Sequence, residues 1–345
     1  RLGYHASTQP NLAVDGQGRV VLGARVNGPL DIGAGPVGQE GEWQLCVAKL
    51  DESGQVVFQK SIKSSYTSTI SALALDDRGD VAVVGQTNEP IDFGAGPIGA
   101  TGPRHTFVVK LDPDGNPRFS HAFKDTGTIN AVGIDRAGNV VIAGATYSPL
   151  DLGGGALKHS GSSDAFVASF DAEGKHRYSK SFGTTGSEVV TAMAVDSAGQ
   201  IVLVGTYTAN IDFGNGPMRG QSSGDVFVLK LDADGRTLFA QRIGGEHKND
   251  ARSVAVDARG NIVVSATMQR SSEWNFDATL LLFDPHGNEI WRRGFTETTQ
   301  YSDTRPVAFD AEGNVVAAGP RFEEKGGSSA AYVVKLRADG EPLYA

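Results

Sequence analysis

The tetrapeptide Asp-x-x-Gly recurs in pairs along the whole chain, and nothing else in the sequence restricts the fold as much. First members of the pairs begin at Asp15, Asp76, Asp135, Asp196, Asp257 and Asp310. Second members begin at Asp51, Asp112, Asp171, Asp232, Asp284 and Arg337. Successive first members are 61, 59, 61, 61 and 53 residues apart. A chain of 345 residues ordinarily suggests two domains. A repeat of this period can instead use the whole length in one array.

Residues 131–190 show the content of one repeat. Ala131-Val132-Gly133-Ile134 reads as a short strand, turned by Asp135-Arg136-Ala137-Gly138. Asn139 to Gly144 is a β-branched second strand, followed by a Gly/Ser-rich connection to Ser163. Ala165 to Phe170 is a third strand, turned by Asp171-Ala172-Glu173-Gly174, and Arg177 to Phe182 is a fourth. No segment carries apolar residues at helical spacing, so each repeat reads as a four-stranded antiparallel meander. The turn chemistry is explicit. Aspartate at the first position is expected to accept hydrogen bonds from the amides two and three residues on. Pro113 and Pro285 sit where a type I turn favours proline, and glycine follows where φ is positive. Asp112-x-Asp114-Gly115 and Asp232-x-Asp234-Gly235 look like pieces of a calcium loop. They lack its third acidic position and its distal glutamate, so the turn reading is preferred.

An aromatic residue stands four positions after each second glycine: Phe58, Phe119, Tyr178, Phe239, Trp291 and Tyr344. Ala13, Ala74, Gly133, Ala194, Ala255 and Ala308 stand two positions before each first aspartate. Large residues on outer strands and small ones on inner strands suit sheets that converge on an axis. Such sheets are apolar on both faces and cannot stand alone. The expected fold is therefore all-β: a six-bladed β-propeller, each blade a four-stranded antiparallel meander. The expected single domain spans residues 1–345, with blades at approximately 8–64, 65–125, 126–186, 187–247, 248–300 and 301–345. Leu343-Tyr344-Ala345 matches the first half of a fourth strand, and Arg1-Leu2-Gly3 the second half. Residues 1–7 then complete or flank the last blade, which is the preferred reading, or the chain is a length of a longer array.

Composition narrows the function classes. The net charge is −9 and the basic residues are scattered, so the footprint of a nucleic-acid binder is absent. No run approaches the ~18 apolar residues of a membrane helix. Cys46, the one cysteine, lies in an apolar strand pattern and reads as a small buried hydrophobe. The seven histidines occupy unrelated positions and form no ligand spacing. There is no Gly-x-Ser-x-Gly elbow, so the chain is not expected to be an enzyme. Lys49, Lys110, Lys230 and Lys335 share one strand position, replaced by Ser169 and Leu282. They read as stems whose heads snorkel toward the turn end of the sheet.

The repeat resembles the bacterial β-propeller repeat family called SBBP. The matching residues are Asp196…Gly199, Gly205-Thr206, Asp225-Val226-Phe227-Val228-Leu229-Lys230-Leu231-Asp232 and Ile243-Gly244-Gly245. Asp164-Ala165-Phe166-Val167 and Phe182-Gly183 match as well, and the likeness covers essentially the whole chain. Ile91-Asp92-Phe93-Gly94-x-Gly96-Pro97, echoed at Ile211 to Pro217, is similar to versions in myxobacterial secreted proteins and lipoproteins. The resemblance implies a propeller and an extracytoplasmic bacterial location, secreted or anchored at the outer surface, usually without enzymatic activity. In the fifth and sixth repeats Glu273-Trp274-Asn275-Phe276-Asp277 and Arg321-Phe322-Glu323-Glu324 replace the Asp-Phe-Gly loop, which makes any ligand site asymmetric.

Strand direction alternates in a meander, so all twelve short turns emerge at one end. The long connections emerge at the other, which is the expected binding face. Aromatic candidates there are Trp43, Tyr66, Tyr147, Tyr207, Trp274 and Tyr301, which suit a protein or glycan partner at the cell surface. Asn130, Glu188, Asp250 and Asp303 fall where the innermost strands begin and could hold Ca2+ at a channel mouth. Solvated or strand-capping polar residues are the competing reading there. Asp31, Asp92, Asp151 and Asp212 are read as fastening their own glycine-rich loops. The leading expectation is a non-catalytic interaction module or scaffold without a cofactor. The alternative is a calcium-dependent lectin-like or lactonase-like protein.

Overall fold

The computed structural model describes residues 10–102, 104–124, 127–220, 224–245, 247–269, 276–295, 301–302, 306–322 and 329–344, with side chains left out at 301, 302, 321, 322, 329 and 330. The expected role of residues 1–7 lies outside the described residues. The chain packs as two compact units, Arg1–Lys158 with Val167–Lys180, and His159–Phe166 with Ser181–Ala345.

All regular structure among the described residues is β. The first sheet contains β1 (Asn11–Val14), β2 (Val20–Asn27), β3 (Trp43–Leu50) and β4 (Val56–Lys63). The second contains β5 (Thr69–Leu75), β6 (Val81–Thr87), β7 (His105–Leu111) and β8 (Pro117–Lys124). The third contains β9 (Gly127–Ile134), β10 (Val140–Thr146), β11 (Asp164–Phe170) and β12 (His176–Phe182), and the division between units runs through it. The fourth contains β13 (Glu188–Val195) and β14 (Ile201–Tyr207), a loop hairpin of β15 (Ile211–Asp212) and β16 (Pro217–Met218), then β17 (Asp225–Leu231) and β18 (Thr237–Ile243). Each is an antiparallel meander in chain order, as the repeat predicts.

The last two repeats depart from this pattern. β19 (Asn249–Val256), β20 (Ile262–Gln269), β21 (Phe276–Phe283) and β22 (Glu289–Phe295) form the fifth meander. β24 (Val307–Phe309), β25 (Val315–Phe322), β26 (Ser329–Leu336) and β27 (Pro342–Tyr344) form the sixth. Between them β23 (Tyr301–Ser302) pairs parallel with β21 at Phe276 and antiparallel with β25, so both repeats belong to one nine-stranded sheet.

All twelve turns form, eleven of them Asp-x-x-Gly and the last Arg337-Ala338-Asp339-Gly340. In each, the glycine amide donates to the carbonyl of the first residue, as Gly115 to Asp112 at 3.0 Å and Gly340 to Arg337 at 2.9 Å. The carboxylate geometry corrects the sequence expectation. It accepts from the amides two and four residues on, as Asp112 Oδ1 does from Asp114 at 3.0 Å and Asn116 at 2.8 Å. The amide three residues on is already committed to the main-chain carbonyl. At the Arg337 turn, Asp339 takes over and accepts from Glu341 at 3.0 Å.

Neighbouring sheets within each unit share apolar clusters. Val21, Leu45 and Val47 of the first sheet pack with Val81, Val83, Phe107 and Val109 of the second. Val204, Val226 and Val228 pack with Val254, Val264 and Leu281. Each such side chain contributes about 1.5–3 kcal/mol by leaving water. Phe58, Phe119 and Phe239 do what the sequence predicts of the outer-strand aromatics, whereas Tyr344 is 54 % exposed. A Cβ added at Gly115 would meet Phe58 at 2.7 Å, one at Gly174 would meet Phe119 at 2.5 Å, and one at Gly287 would meet Phe239 at 2.8 Å. Each of these three therefore packs on the second-turn glycine of the following repeat.

The strand lysines correct a second expectation. Three of the four heads lie at the turn end as expected but do not reach water: Lys49, Lys110 and Lys230 are at most 2 % exposed, while the Lys335 side chain is 25 % exposed. Lys49 Nζ donates to the Gly79 carbonyl at 2.8 Å and the Pro113 carbonyl at 3.0 Å, both in turns of the next sheet. Lys110 Nζ donates to Gly138 at 2.8 Å and pairs with Asp80 at 3.0 Å. Lys230 Nζ reaches Pro285 at 3.3 Å. Turn carbonyls have lone pairs that the hairpin leaves unused, and an ammonium can fill several at once.

Gly115 and Gly54 give a matched comparison. Both have positive φ, but nothing lies within 4 Å of a Cβ added at Gly54. Gly54→Ala is expected to lose about 1 kcal/mol from backbone strain alone. Gly115→Ala must also displace Phe58 and is expected to lose about 1–3 kcal/mol more. Equal midpoints for the two variants in urea unfolding would contradict this packing.

Candidate functional site

The turn pairs occupy one end of each sheet, and the long connections leave from the other. At that second end of the first sheet, three side chains meet. Arg25 interrupts the apolar run of β2 and is 7 % exposed. Trp43 opens β3 opposite Asn27, which puts it diagonally beside Arg25 on one face of the sheet. Tyr66 lies in the β4–β5 connection and is 62 % exposed. The guanidinium carbon is 5.1 Å from the Trp43 ring centroid and 4.8 Å from that of Tyr66. The two rings meet edge to face, 5.1 Å apart at 71°.

Arg25 also holds the loop that carries Tyr66. Its Nη1 donates to the Tyr66 carbonyl, and to the Ser68 carbonyl at 3.3 Å. A largely desolvated cation between two rings is worth ~2 kcal/mol or more. Hydroxyls continue from this point. Ser65 Oγ lies 3.0 Å from Thr67 Oγ1 and 3.1 Å from Ser68 Oγ, and donates to Asn88 Oδ1 at 2.5 Å. The result is a braced, exposed tyrosine next to a ridge of hydroxyl and amide groups. It can stack with a flat apolar surface and exchange hydrogen bonds beside it.

The structure thus brings together two of the six aromatic candidates. Tyr147 is 52 % exposed. Tyr207 corrects the expectation: it is fully buried at the end of β14 and donates its hydroxyl to the Arg219 carbonyl at 3.1 Å. Burial, with Asp225 nearby, pushes its phenol up to about 12. It belongs to a strand buried along nearly its whole length, and its ring packs near Phe227, 6.4 Å between centroids. Trp274 lies outside the described residues, and so does the side chain of Tyr301. Arg25 escaped the sequence reading. The available signal was a charged residue inside Val20-Val21-Leu22-Gly23-Ala24-Arg25-Val26.

The acidic candidates have local duties. Glu188, fully buried, accepts from the Thr184 amide at 2.9 Å and from Thr184 Oγ1 at 2.8 Å. Burial raises its carboxyl above the usual range, opposed by the Thr184 bonds and aided by the Asp164 charge. Asp250 pairs with Lys248 at 3.4 Å and Arg252 at 3.9 Å. Asn130 is half-buried in β9 and is itself bonded, and Asp303 lies outside the described residues. Among the described residues, no three His, Cys, Asp or Glu side chains group as metal ligands. Cys46 is buried, and burial pushes its thiol up to about 11 despite the Ser61 hydrogen bond, so it is a poor nucleophile.

The loop aspartates behave as read. Asp31 Oδ1 accepts from Gly33 at 2.8 Å and Gly35 at 3.1 Å. Asp92, Asp151 and Asp212 repeat this with their own glycines. The pairing of Asp-Ala-Phe-Val with a later Phe-Gly also has a cause. A Cβ on Gly183 would collide with the Asp164 carboxylate, and one on Gly244 with that of Asp225. Arg242 satisfies Asp225 through bonds of 2.9 and 3.1 Å.

No protein-family model and no curated protein sequence matches the chain. Solved structures with a similar trace include an ulvan lyase of polysaccharide lyase family PL25, at 12% identity and TM-score 0.48, covering 99% of this chain and 80% of that one. The β-propeller domain of the Trilobed protease from Pyrococcus furiosus is similar at 10% identity and TM-score 0.48, covering 99% and 84%. A protein of unknown function from Bacteroides caccae is similar at 10% identity and TM-score 0.48, covering 87% and 88%. Likeness at this level does not carry function.

Glu188 supplies a pH test. A carboxyl whose folded pKa is raised costs stability while ionised, and that cost fades as pH falls through the raised value toward the unfolded one. As pH falls from neutrality toward the ordinary glutamate range, the wild type should therefore gain stability relative to Glu188→Gln. Thermal melts that stay parallel across that range would refute an ionised, buried Glu188.

Proposed function

We propose that this chain is a six-bladed β-propeller of the SBBP kind that works outside the bacterial cytoplasm as a non-catalytic binding module. Its partner is a protein or glycan at the cell surface, engaged by the long-loop face. The observation that supports this reading most is the Arg25–Trp43–Tyr66 cluster. A tyrosine left 62 % exposed while a buried arginine braces its loop has lost conformational freedom before any partner arrives, and pre-organisation of that kind favours recognition. The adjacent hydroxyls of Ser65 and Thr67 add directional contacts.

Tyr66→Ala is the direct test, because an exposed ring can be removed without opening the core. Central aromatics in interfaces are worth ~2 kcal/mol or more, so affinity for a bound glycan or surface protein should fall by at least about tenfold. The measurement is a glycan array and a surface-protein capture, each run with wild type and variant at matched folding. Hits that survive the substitution would move the site elsewhere on the face. Binding abolished by EDTA, with a lowered melting temperature, would favour the ion-dependent alternative.

A further inference from the structure

The second site lies at the opposite, tight-turn end, between the first turns of the fifth and sixth repeats. Val256, Asp257, Ala258 and Arg259 face Phe309, Asp310, Ala311, Glu312 and Gly313 across a cleft of ≈290 Å³. The same crevice between the first and second repeats is filled. There Arg19 Nη2 donates to the Asp76 carbonyl at 3.3 Å and the Asp77 carbonyl at 2.7 Å, while its Nε holds Asp15 at 2.5 Å. Gln17 Nε2 reaches the Asp77 carbonyl at 3.1 Å, and the Gly16 amide reaches Asp77 Oδ1 at 3.3 Å. Lys49 closes the crevice by donating to the Gly79 carbonyl at 2.8 Å.

Register along the repeat shows what the later crevice has lost. Asn261 stands at the position of Arg19, and its Nδ2 turns back to Asp257 Oδ2 at 2.8 Å. Ala311 stands at the position of Asp77, and Leu282 at that of Lys49. Leu282 is buried and has no polar group to offer. The carbonyls of Asp310, Ala311 and Gly313 correspond to those of Asp76, Asp77 and Gly79, each of which receives a cationic N–H in the earlier repeat. One further acceptor is accounted for: Trp291 Nε1 donates to the Ala338 carbonyl at 2.9 Å, where Lys49 serves Pro113.

We propose that this cleft binds a guanidinium group from outside the chain, an arginine side chain, which takes the place that Arg19 fills in the first crevice. The local charges suit a cation. Three carboxylates, Asp257, Asp310 and Glu312, stand against Arg259 and the Lys335 ammonium, which pairs with Asp310 at 2.6 Å, so the formal balance is one negative charge. Phe309 and Val256 offer an apolar wall to the methylene stem, as snorkelling arginines require. The volume falls just below the range for ligand pockets, roughly 300–1,000 Å³, which suits a single side chain rather than a larger ligand. A planar fork that donates to two successive carbonyls is a task for guanidinium rather than ammonium.

The test is a titration of the full chain with argininamide, with citrulline amide as the neutral isostere, and with a capped Gly-Arg-Gly peptide. Binding is read from the amide NMR shifts of Ala311 and Gly313. Saturable shifts with the two arginine compounds and none with citrulline are expected. Tighter binding of the peptide would identify a protein-borne arginine as the source, and equal binding the free amino acid. Asn261→Arg rebuilds the internal plug and should weaken binding by at least about tenfold. If that variant does not fold, Ala311→Tyr, at an exposed turn position that tolerates most residues, should block the cleft to the same extent. No shifts at tens of millimolar ligand, an equal response to citrulline, or undiminished binding in a folded plugged variant would each overturn the proposal.

Discussion

The packing of an outer-strand aromatic against a turn glycine of the next repeat is the constraint from which the rest of each unit follows. That glycine meets two demands at once. Its backbone is left-handed, which already disfavours a side chain. Phe58, Phe119 or Phe239 then occupies the space a Cβ would need. The hairpin sets the register of its own strands, and the glycine's bare surface sets where the neighbouring sheet can sit. Local turn chemistry and long-range packing thus select one residue at one position, a form of agreement between levels that favours a single native arrangement.

Much of the fold was legible for this reason. Asp-x-x-Gly, the outer aromatics and the inner alanines each carry their physical cause on the surface of the sequence. What escaped was geometry that depends on a partner sheet. The lysines read as snorkelling because their nearest water is easy to infer from one strand, whereas the turn carbonyls they reach belong to the following repeat. β23 escaped because a two-residue strand has no periodicity to detect. The candidate site was half legible. Aromatics near the long connections drew attention to Trp43 and Tyr66, but Tyr207, at the end of β14, turns its ring toward Phe227 and is buried. Arg25 was invisible as a binding residue because its role comes from bracing two rings rather than from contact with solvent.

Cations and turn carbonyls form the second regular feature. Arg19, Lys49, Lys110 and Lys230 each carry positive charge to acceptors that hairpins leave available. Besides pairing with carboxylates, as Lys110 does with Asp80, they satisfy lone pairs where sheets crowd together. A repeat that loses these cations does not close up, since strand spacing is set by the apolar layer beneath. It keeps the carbonyls and leaves the space, which is how divergence among repeats can create a recess on a face that is otherwise regular.

The aspartates that open the turns have an implication for ionic strength. Ten of the eleven use one carboxylate oxygen to accept from two uncharged amides inside their own hairpins, and Asp135 accepts from one. Bonds of this length lie far inside the Debye length, about 10 Å at 0.1 M salt, and their donors are neutral. The acidic surface that gives the chain its net charge of −9 can therefore be screened by salt, or diluted by asparagine, without loosening the turns that the same residues hold. Solubility and architecture draw on one set of side chains through different atoms, so each can change while the other persists.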